Sequence, residues 1–375
     1  MMKIAVLGTR GIPNVMGGIE AHCEHLYPYL AESGCEVTVF TRKPYVDSAI
    51  KSYKGITLIP LGCLRNKYLE AFLHTFMGVF ATKRIKPDIV HIHAIGPSLF
   101  IPLARCLGMK VVMTNHGPDY QREKWGKLAK FVLQLGERLG SKWAHGLICI
   151  SQPIADDIKG KYNREATVLP NGVRIPQIAE TEDVLKQYDL VKGKYILSVG
   201  RLVPEKGFHH LIDAFNALPP NSWKLVIVGR THVEDKYSVD LKEKGSKNPR
   251  IVFTGFLTGK PLHELYSHAG LFILPSSYEG LPIALLEAMS YGLSCIASDI
   301  PGSRNVGLDD DRYFEPGNSE QVTSKMIQFI RNPLSSDERE KQIRVIAENY
   351  DWAKIAERTL EVYKQVLASP LLRKL

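Results

Sequence analysis

PSSYEGLPIALLEAMSYG, from Pro275 to Gly292, comes directly out of the short apolar run LFILPS (Leu271 to Ser276) and passes into a helical pattern. A run of that length bounded by turn residues suits a parallel strand buried on both faces. Pro282 fits the first turn of the following helix, where its missing N–H costs nothing. Ala284, Leu285, Ala288 and Met289 give that helix an apolar stripe to pack on a sheet. The Gly280-Leu281 turn would then offer free backbone N–H groups at an exposed helix start, a setting that favours anions such as phosphate. Glu287 falls roughly 7.5 Å along the axis from Pro282, at about 1.5 Å per residue. That offset suits a carboxylate gripping ribose hydroxyls while a diphosphate sits at the helix end. Glu279, just before the turn, would face the sugar. Two surface glutamates on an ordinary strand-turn-helix are the plain alternative.

Outward from this stretch, short apolar runs alternate with helical patterns, the signature of βαβ units on parallel sheets. The first half predicts strands at 3–8, 36–42, 56–61, 88–93, 110–115, 146–151 and 167–171. The second half predicts strands at 195–200, 224–229, 250–256, 271–276 and 294–299, with helices near 207–218, 260–269 and 282–291. A polar, Pro-containing segment after Gly172, through Pro176 to about Lys194, reads as a hinge. With 375 residues the chain exceeds the size at which one core keeps growing. The expectation is an N-terminal Rossmann-like domain over 1–172 and a C-terminal one over 173–350. Two such domains facing each other leave a cleft lined by the carboxyl ends of both sheets, where ligands bind.

The composition is globular, 45% hydrophobic and 23% charged, with no low-complexity tract. MMKIAVLG enters a strand pattern at once and lacks a signal-peptide core, and the longest apolar candidate, Ala71 to Ala81, includes His74 and is far too short to span a bilayer. The six cysteines show no CxxC pair or metal-ligand spacing, as expected of reduced cytosolic thiols. The net charge of +9 is lopsided: residues 1–170 hold 22 Lys+Arg against 13 Asp+Glu, while the remainder balances at 26 against 26. A basic half could meet nucleic acid, an anionic membrane surface or a phosphorylated substrate. No nucleic-acid signature accompanies the charge. Residues 122–142 combine Arg122, Lys124, Lys127 and Lys130 with Trp125, Leu128 and Phe131, as an interfacial helix would, or as a packed helix with a basic outer face would.

Three further stretches could bring chemistry to the cleft. GTRGIPNVMGGIE, Gly8 to Glu20, follows the first strand without G-x-G-x-x-G spacing, and Gly17 and Gly18 would let backbone approach a ligand at a helix start. TNHGPD, Thr114 to Asp119, places His116 at a strand end, whereas His91 and His93 lie inside an apolar strand and read as packing or sheet-end residues. GRLVPEKG, Gly200 to Gly207, sets Arg201 and Lys206 around a loop stiffened by Pro204, a pair able to clamp a diphosphate and stabilise the charge that grows as it leaves. Asp309-Asp310-Asp311 formally fits a DxD metal motif, and a solvated turn is the simpler reading.

Together these motifs resemble the GT-B retaining glycosyltransferases of family GT4, over essentially the whole chain. GRLVPEKG looks like the family's Arg/Lys phosphate motif, Glu279 with Glu287 like its E-x7-E motif, and VLPNGV (Val168 to Val173) like the segment ending its first domain. His116 falls where the family places a histidine near the donor sugar. Gly17-Gly18 falls where it places its N-terminal glycine loop. The N-terminal stretch also looks like rhamnosyltransferase-like enzymes of bacterial surface polysaccharide synthesis. Gly229 is followed by Arg230 and Thr231 where many relatives carry a G-x-G turn.

The resemblance implies the α/β GT-B fold and transfer of a sugar, with retention, from a nucleoside diphosphate sugar to a hydroxyl on a saccharide or lipid-linked saccharide. Glu287 would hold the ribose; Arg201 and Lys206 the diphosphate; the N–H groups near Gly280 and Leu281 the distal phosphate; Glu279 and His116 the sugar. No metal and no cofactor is implied, nor any nucleic-acid partner. A cytoplasmic protein, free or peripheral on the inner face of the plasma membrane, would fit. The segment 351–375 should cross back onto the first domain, with Trp352, Ile355, Leu360 and Tyr363 on one face. A GT-B epimerase or phosphorylase, or a non-enzymatic basic binding protein, are the rival classes.

Overall fold

The Val/Ile/Leu runs become strands buried along most of their length in the computed structural model, which describes residues 1–63, 69–121, 125–231 and 234–369. The chain divides into two compact units, Met1–Gly172 together with the segment beginning at Trp352, and Val173–Asp351.

In the first unit the strands are β1 (Lys3–Leu7), β2 (Glu36–Arg42), β3 (Ser52–Tyr53), β4 (Ile56–Leu61), β5 (Ile89–His93), β6 (Val111–Asn115), β7 (Gly146–Cys149) and β8 (Thr167–Val168). They form one sheet in the order β3-β4-β2-β1-β5-β6-β7-β8, parallel except where β3 meets β4. The helices are α1 (Gly18–Glu32), α2 (Glu70–Ile85), α3 (Ile101–Cys106), α4 (Lys127–Trp143) and α5 (Gln152–Tyr162). Chain order reverses between β1 and β5. A parallel sheet opens its ligand crevice at such a point, beyond the carboxyl ends of the two strands.

The second unit holds β9 (Tyr195–Val199), β10 (Lys224–Val228), β11 (Ile251–Gly255), β12 (Leu271–Leu274), β13 (Cys295–Ser298) and β14 (Tyr313–Phe314), in the all-parallel order β11-β10-β9-β12-β13-β14. Its helices are α6 (Asp183–Gln187), α7 (Phe208–Asn216), α8 (Lys236–Ser246), α9 (Gly259–His268), α10 (Ile283–Ser290), α11 (Pro301–Arg304), α12 (Ser319–Arg331) and α13 (Ser336–Asn349). Here the reversal lies between β9 and β12, the strands that feed the Arg201–Lys206 loop and the Glu279 turn.

The segment read as a hinge contains a short packed helix: α6 buries Val184 and Leu185, and the buried Glu264 carboxylate accepts the Val184 N–H at 2.8 Å. One local reading needs correction. Pro282 stands one residue before α10, with an extended ψ of 101°, and its carbonyl accepts the N–H groups of Leu285 and Leu286. It therefore caps the helix.

The last helix, α14 (Trp352–Ala368), belongs to the first unit; Asp351 belongs to the second, and residues 370–375 lie outside the described residues. Trp352, Ile355, Val362, Tyr363 and Val366 join Cys23, Leu26, Tyr27 and Leu30 of α1 in one core, with Leu360 at its edge. Lys110 Nζ donates to the carbonyls of Val366, Leu367 and Ser369 at 3.0, 2.7 and 2.9 Å, a cation closing the helix end. Trp352 also lies so close to Gly172 that a Cβ there would meet its ring at 2.5 Å. No helix among the described residues is long and apolar enough to cross a membrane. Trp352→Ala should lower the stability of the first unit by about 3–5 kcal/mol, the usual cost of emptying a tryptophan site, read as an earlier first transition in urea unfolding.

Candidate active site

Within the second unit, the loops after β9 and β12 are locked to each other. Lys206 Nζ meets Glu279 Oε1 at 2.5 Å, and Ser276 Oγ donates to the same oxygen at 2.7 Å. Ser277 N donates to the carbonyl of Glu205 at 2.9 Å. Gly207, at φ 66°, approaches Pro275 so closely that a Cβ would lie 2.0 Å from its carbonyl oxygen, and a Cβ on Gly302 would lie 2.3 Å from that of Glu279. Only glycine allows either approach. Arg201 is mostly buried on the same loop, 3.9 Å from Glu205, while Pro204–Lys206 makes a tight 3-10 turn. The structure thus gathers Arg201, Lys206, Glu279 and the Gly280-Leu281 turn at the carboxyl ends of the two switch-point strands. Both contacts to Glu279 fall on Oε1.

Glu287 lies on α10 behind this turn, and Tyr266 of α9 donates its hydroxyl to Glu287 Oε2 at 2.9 Å. Burial pushes the carboxyl up from its ordinary 4.5 to about 7, with the Tyr266 hydrogen bond opposing that rise. Tyr291 stacks on Tyr266 at 5.2 Å, so the recess around the carboxylate is aromatic on one side. Such a group takes hydroxyl donors readily, since they replace the water it has lost. Asp309, Asp310 and Asp311 lie apart from this site; they are exposed, and Asp310 is paired with Arg304.

In the first unit, Gly17 and Gly18 separate in role. A Cβ on Gly17, at φ 152°, would strike Glu20 Oε2 at 2.0 Å, and the Glu20 carboxylate in turn accepts the Arg10 N–H at 3.0 Å. Gly17 therefore serves the loop itself. A Cβ on Gly18 would meet nothing within 4 Å. Of the two glycines, Gly18 is the one with open space on its Cβ side.

His116 is the rim of a buried polar network. Its Nε2 lies 3.0 Å from His93 Nδ1; His93 Nε2 lies 2.6 Å from the Tyr27 hydroxyl, which lies 2.9 Å from His91 Nδ1. His91 reaches the Tyr363 hydroxyl of α14 at 2.6 Å and Thr114 Oγ1 at 2.7 Å. His22 packs edge-on to His116 and holds Asn171 Oδ1 at 2.9 Å. His91 and His93 are thus network members rather than simple packing residues. Burial lowers His22 to about 4 and His91 to about 3, and holds His93 and His116 well below 6.5, so the cluster is neutral at pH 7. Among the described residues, His22, His93 and His116 are the group whose ring nitrogens gather within 4.8 Å, close enough for a metal, although both nitrogens of His93 already have hydrogen-bond partners.

The sequence carries the same signal as this geometry. Residues 16–175 match the family described as Glycosyltransferase Family 4, and residues 181–359 that described as Glycosyl transferases group 1. The chain is a GT-B glycosyltransferase of family 4. An uncharacterized glycosyltransferase of Methanocaldococcus jannaschii is 26% identical over 97% of this chain and 98% of its own length. The UDP-Gal:alpha-D-GlcNAc-diphosphoundecaprenol alpha-1,3-galactosyltransferase of Escherichia coli is 29% identical over 69% of each chain. Among solved structures, sucrose-phosphate synthase of Thermosynechococcus elongatus superimposes with a TM-score of 0.81 at 20% identity, over 99% of this chain and 100% of that one. Anabaena HepE in complex with UDP and glucose gives 0.79 at 18% identity, over 97% and 100%.

For this glycosyltransferase, sequence reasoning missed Tyr266, Ser276 and Gly302 around the two glutamates, and Tyr27, His22 and Asn171 around His116. Tyr266 and Gly302 are far from the motifs in sequence and carry no local pattern. His22 had a usable signal: it sits four residues after Gly18, one helical turn into α1.

The pKa shifts give two tests of opposite sign. Four histidines whose folded pKa burial lowers take up protons more readily in the unfolded chain, so stability is lost as pH falls below 6.5; the first unit should therefore melt progressively earlier from pH 6.5 to 4. Glu287, whose folded pKa is raised, loses stability as pH rises from 4.5 through 7. Glu287→Gln should raise the melting temperature of the second unit at pH 8 and leave it unchanged at pH 4.5.

Proposed function

We propose that this glycosyltransferase moves a sugar from a nucleoside diphosphate donor to a hydroxyl of a saccharide or lipid-linked saccharide, with retention at the anomeric carbon. The observation that carries the reading is the Lys206–Glu279 pair beside Arg201 at the β9/β12 reversal. Arg201 and Lys206 take the diphosphate, assisted by N–H groups of the Gly280-Leu281 turn, and Glu287 takes the ribose. Glu279 then turns a carboxylate oxygen to the sugar hydroxyls, and His116 keeps the sugar contact that the family resemblance gives it. The second unit holds the nucleotide and the first the acceptor.

No carboxylate is asked to act as a nucleophile. The departing phosphate takes the proton of the incoming hydroxyl on the same face, and the two cations stabilise the charge left on it. Neither a metal nor a cofactor enters this scheme. The Escherichia coli relative whose name specifies an undecaprenol-diphosphate acceptor supports a lipid-linked substrate in surface polysaccharide or glycolipid synthesis. The basic excess of residues 1–170 supports a cytoplasmic protein that works against an anionic membrane.

A panel of UDP-, GDP-, dTDP- and ADP-sugars, scored by thermal shift and donor hydrolysis with chelator present, tests the class. One donor should raise the melting temperature and be consumed without added metal. Arg201→Ala and Lys206→Ala should each lower turnover about 100- to 1000-fold, the cost of one preorganised charge contact. Near-normal rates in both variants would remove the leaving-group argument, and product of inverted anomeric configuration by NMR would remove retention.

A further inference from the structure

Helix α2 is built inside out. Its inward side carries Glu70, His74, Thr75, Gly78, Val79 and Thr82, so polar groups predominate there. The Glu70 carboxylate is held by Arg42 at 2.5 Å and by the Tyr45 hydroxyl at 2.8 Å, and Gly78 lets the helix settle on Leu7 of β1, where a Cβ would meet the leucine at 2.5 Å. These contacts fix which side faces out. The outward side is apolar: Phe72, Phe76, Met77 and Phe80 follow helical spacing and are each 40–43% exposed.

Helix α4 presents a second stripe of this kind, with Leu128 77% exposed, Phe131 61% and Leu135 behind them. Arg122 and Lys124 lie outside the described residues. Both helices pack on the turn Pro97–Phe100: Phe72 and Phe76 meet the Phe100 ring at 4.7 and 5.7 Å, and Leu133 of α4 borders Gly96. The stripes therefore flank one turn of the first unit. Of the thirteen phenylalanines in the chain, all four exposed ones lie on these two helices. Soluble surfaces rarely concentrate aromatic side chains in this way.

Charge chooses the occupant. The acidic residues of the two helices, Glu70 and Glu137, are both buried, whereas Lys83, Arg84, Lys127, Arg138 and Lys142 are exposed. The outer faces thus combine apolar side chains with positive charge alone. A second copy of the same face would set cation against cation.

We propose that the outer faces of α2 and α4 form one interfacial surface that seats the first unit on an anionic lipid bilayer, the phenylalanines and leucines entering the acyl boundary and the basic residues meeting the headgroups. The proposal deepens the reading of a lipid-linked acceptor, since it holds the acceptor-binding unit at the layer in which such an acceptor resides.

The test is flotation of the full chain, without sugar nucleotide, on vesicles of phosphatidylcholine alone or with phosphatidylglycerol. Recovery should be at least tenfold higher on the anionic vesicles and should fall with added salt. Leu128→Ser/Phe131→Ser, and separately Phe80→Ser, should cut that recovery severalfold, with melting temperature and vesicle-free donor hydrolysis unchanged. Equal recovery on both vesicles, or variants that float like the parent, overturns the proposal. So does a dimer by light scattering that the same substitutions dissociate. Flotation without turnover of any sugar nucleotide would sink the transferase reading alone, and turnover without flotation would sink the surface alone.

Discussion

The ion pair between Lys206 and Glu279 ties together the loops after β9 and β12, on which the candidate site depends. Each loop leaves a different strand of the second unit, and the strands are neighbours only because the sheet reverses its order between β9 and β12. The pair is largely removed from solvent, and Ser276 adds a second partner to the same oxygen. Opposite charges held this way contribute most by fixing geometry, since desolvation offsets much of their attraction. In the function proposed above, an incoming diphosphate would meet a lysine already aimed by a carboxylate.

Each unit also keeps a polar cluster in its interior, and the two differ in what they hold ready. In the second, Glu287 is a carboxyl close to ionisation at neutral pH, steadied by one tyrosine. In the first, the histidines around His116 are neutral and chained through Tyr27 to the C-terminal helix by way of Tyr363. Orientation of His116 is thus set by residues far along the chain. A pair of buried tyrosines does what a local turn could not.

Much of the fold was legible because parallel strands buried on both faces leave continuous apolar runs, and nearly every such run became a strand. Strands β3 and β14, two residues each, are too short to leave a period, and α6 hides in a polar, proline-containing segment. The motifs pointed to Lys206 and Glu279 separately and carried no sign that they pair with each other. Pairing across a sheet depends on strand order, which local pattern does not encode. Helix α2 shows the opposite failure: Ala71 to Ala81 reads as an apolar segment, and only its register on Leu7 reveals that the polar residues point inward.

Close backbone approaches at Gly207 and Gly302 leave the loops around Glu279 no slack. Lengthening or shortening any one of them would push its neighbours off their strands. If these loops hold the donor as proposed, a change of donor would come by exchanging side chains within a frame of constant loop length.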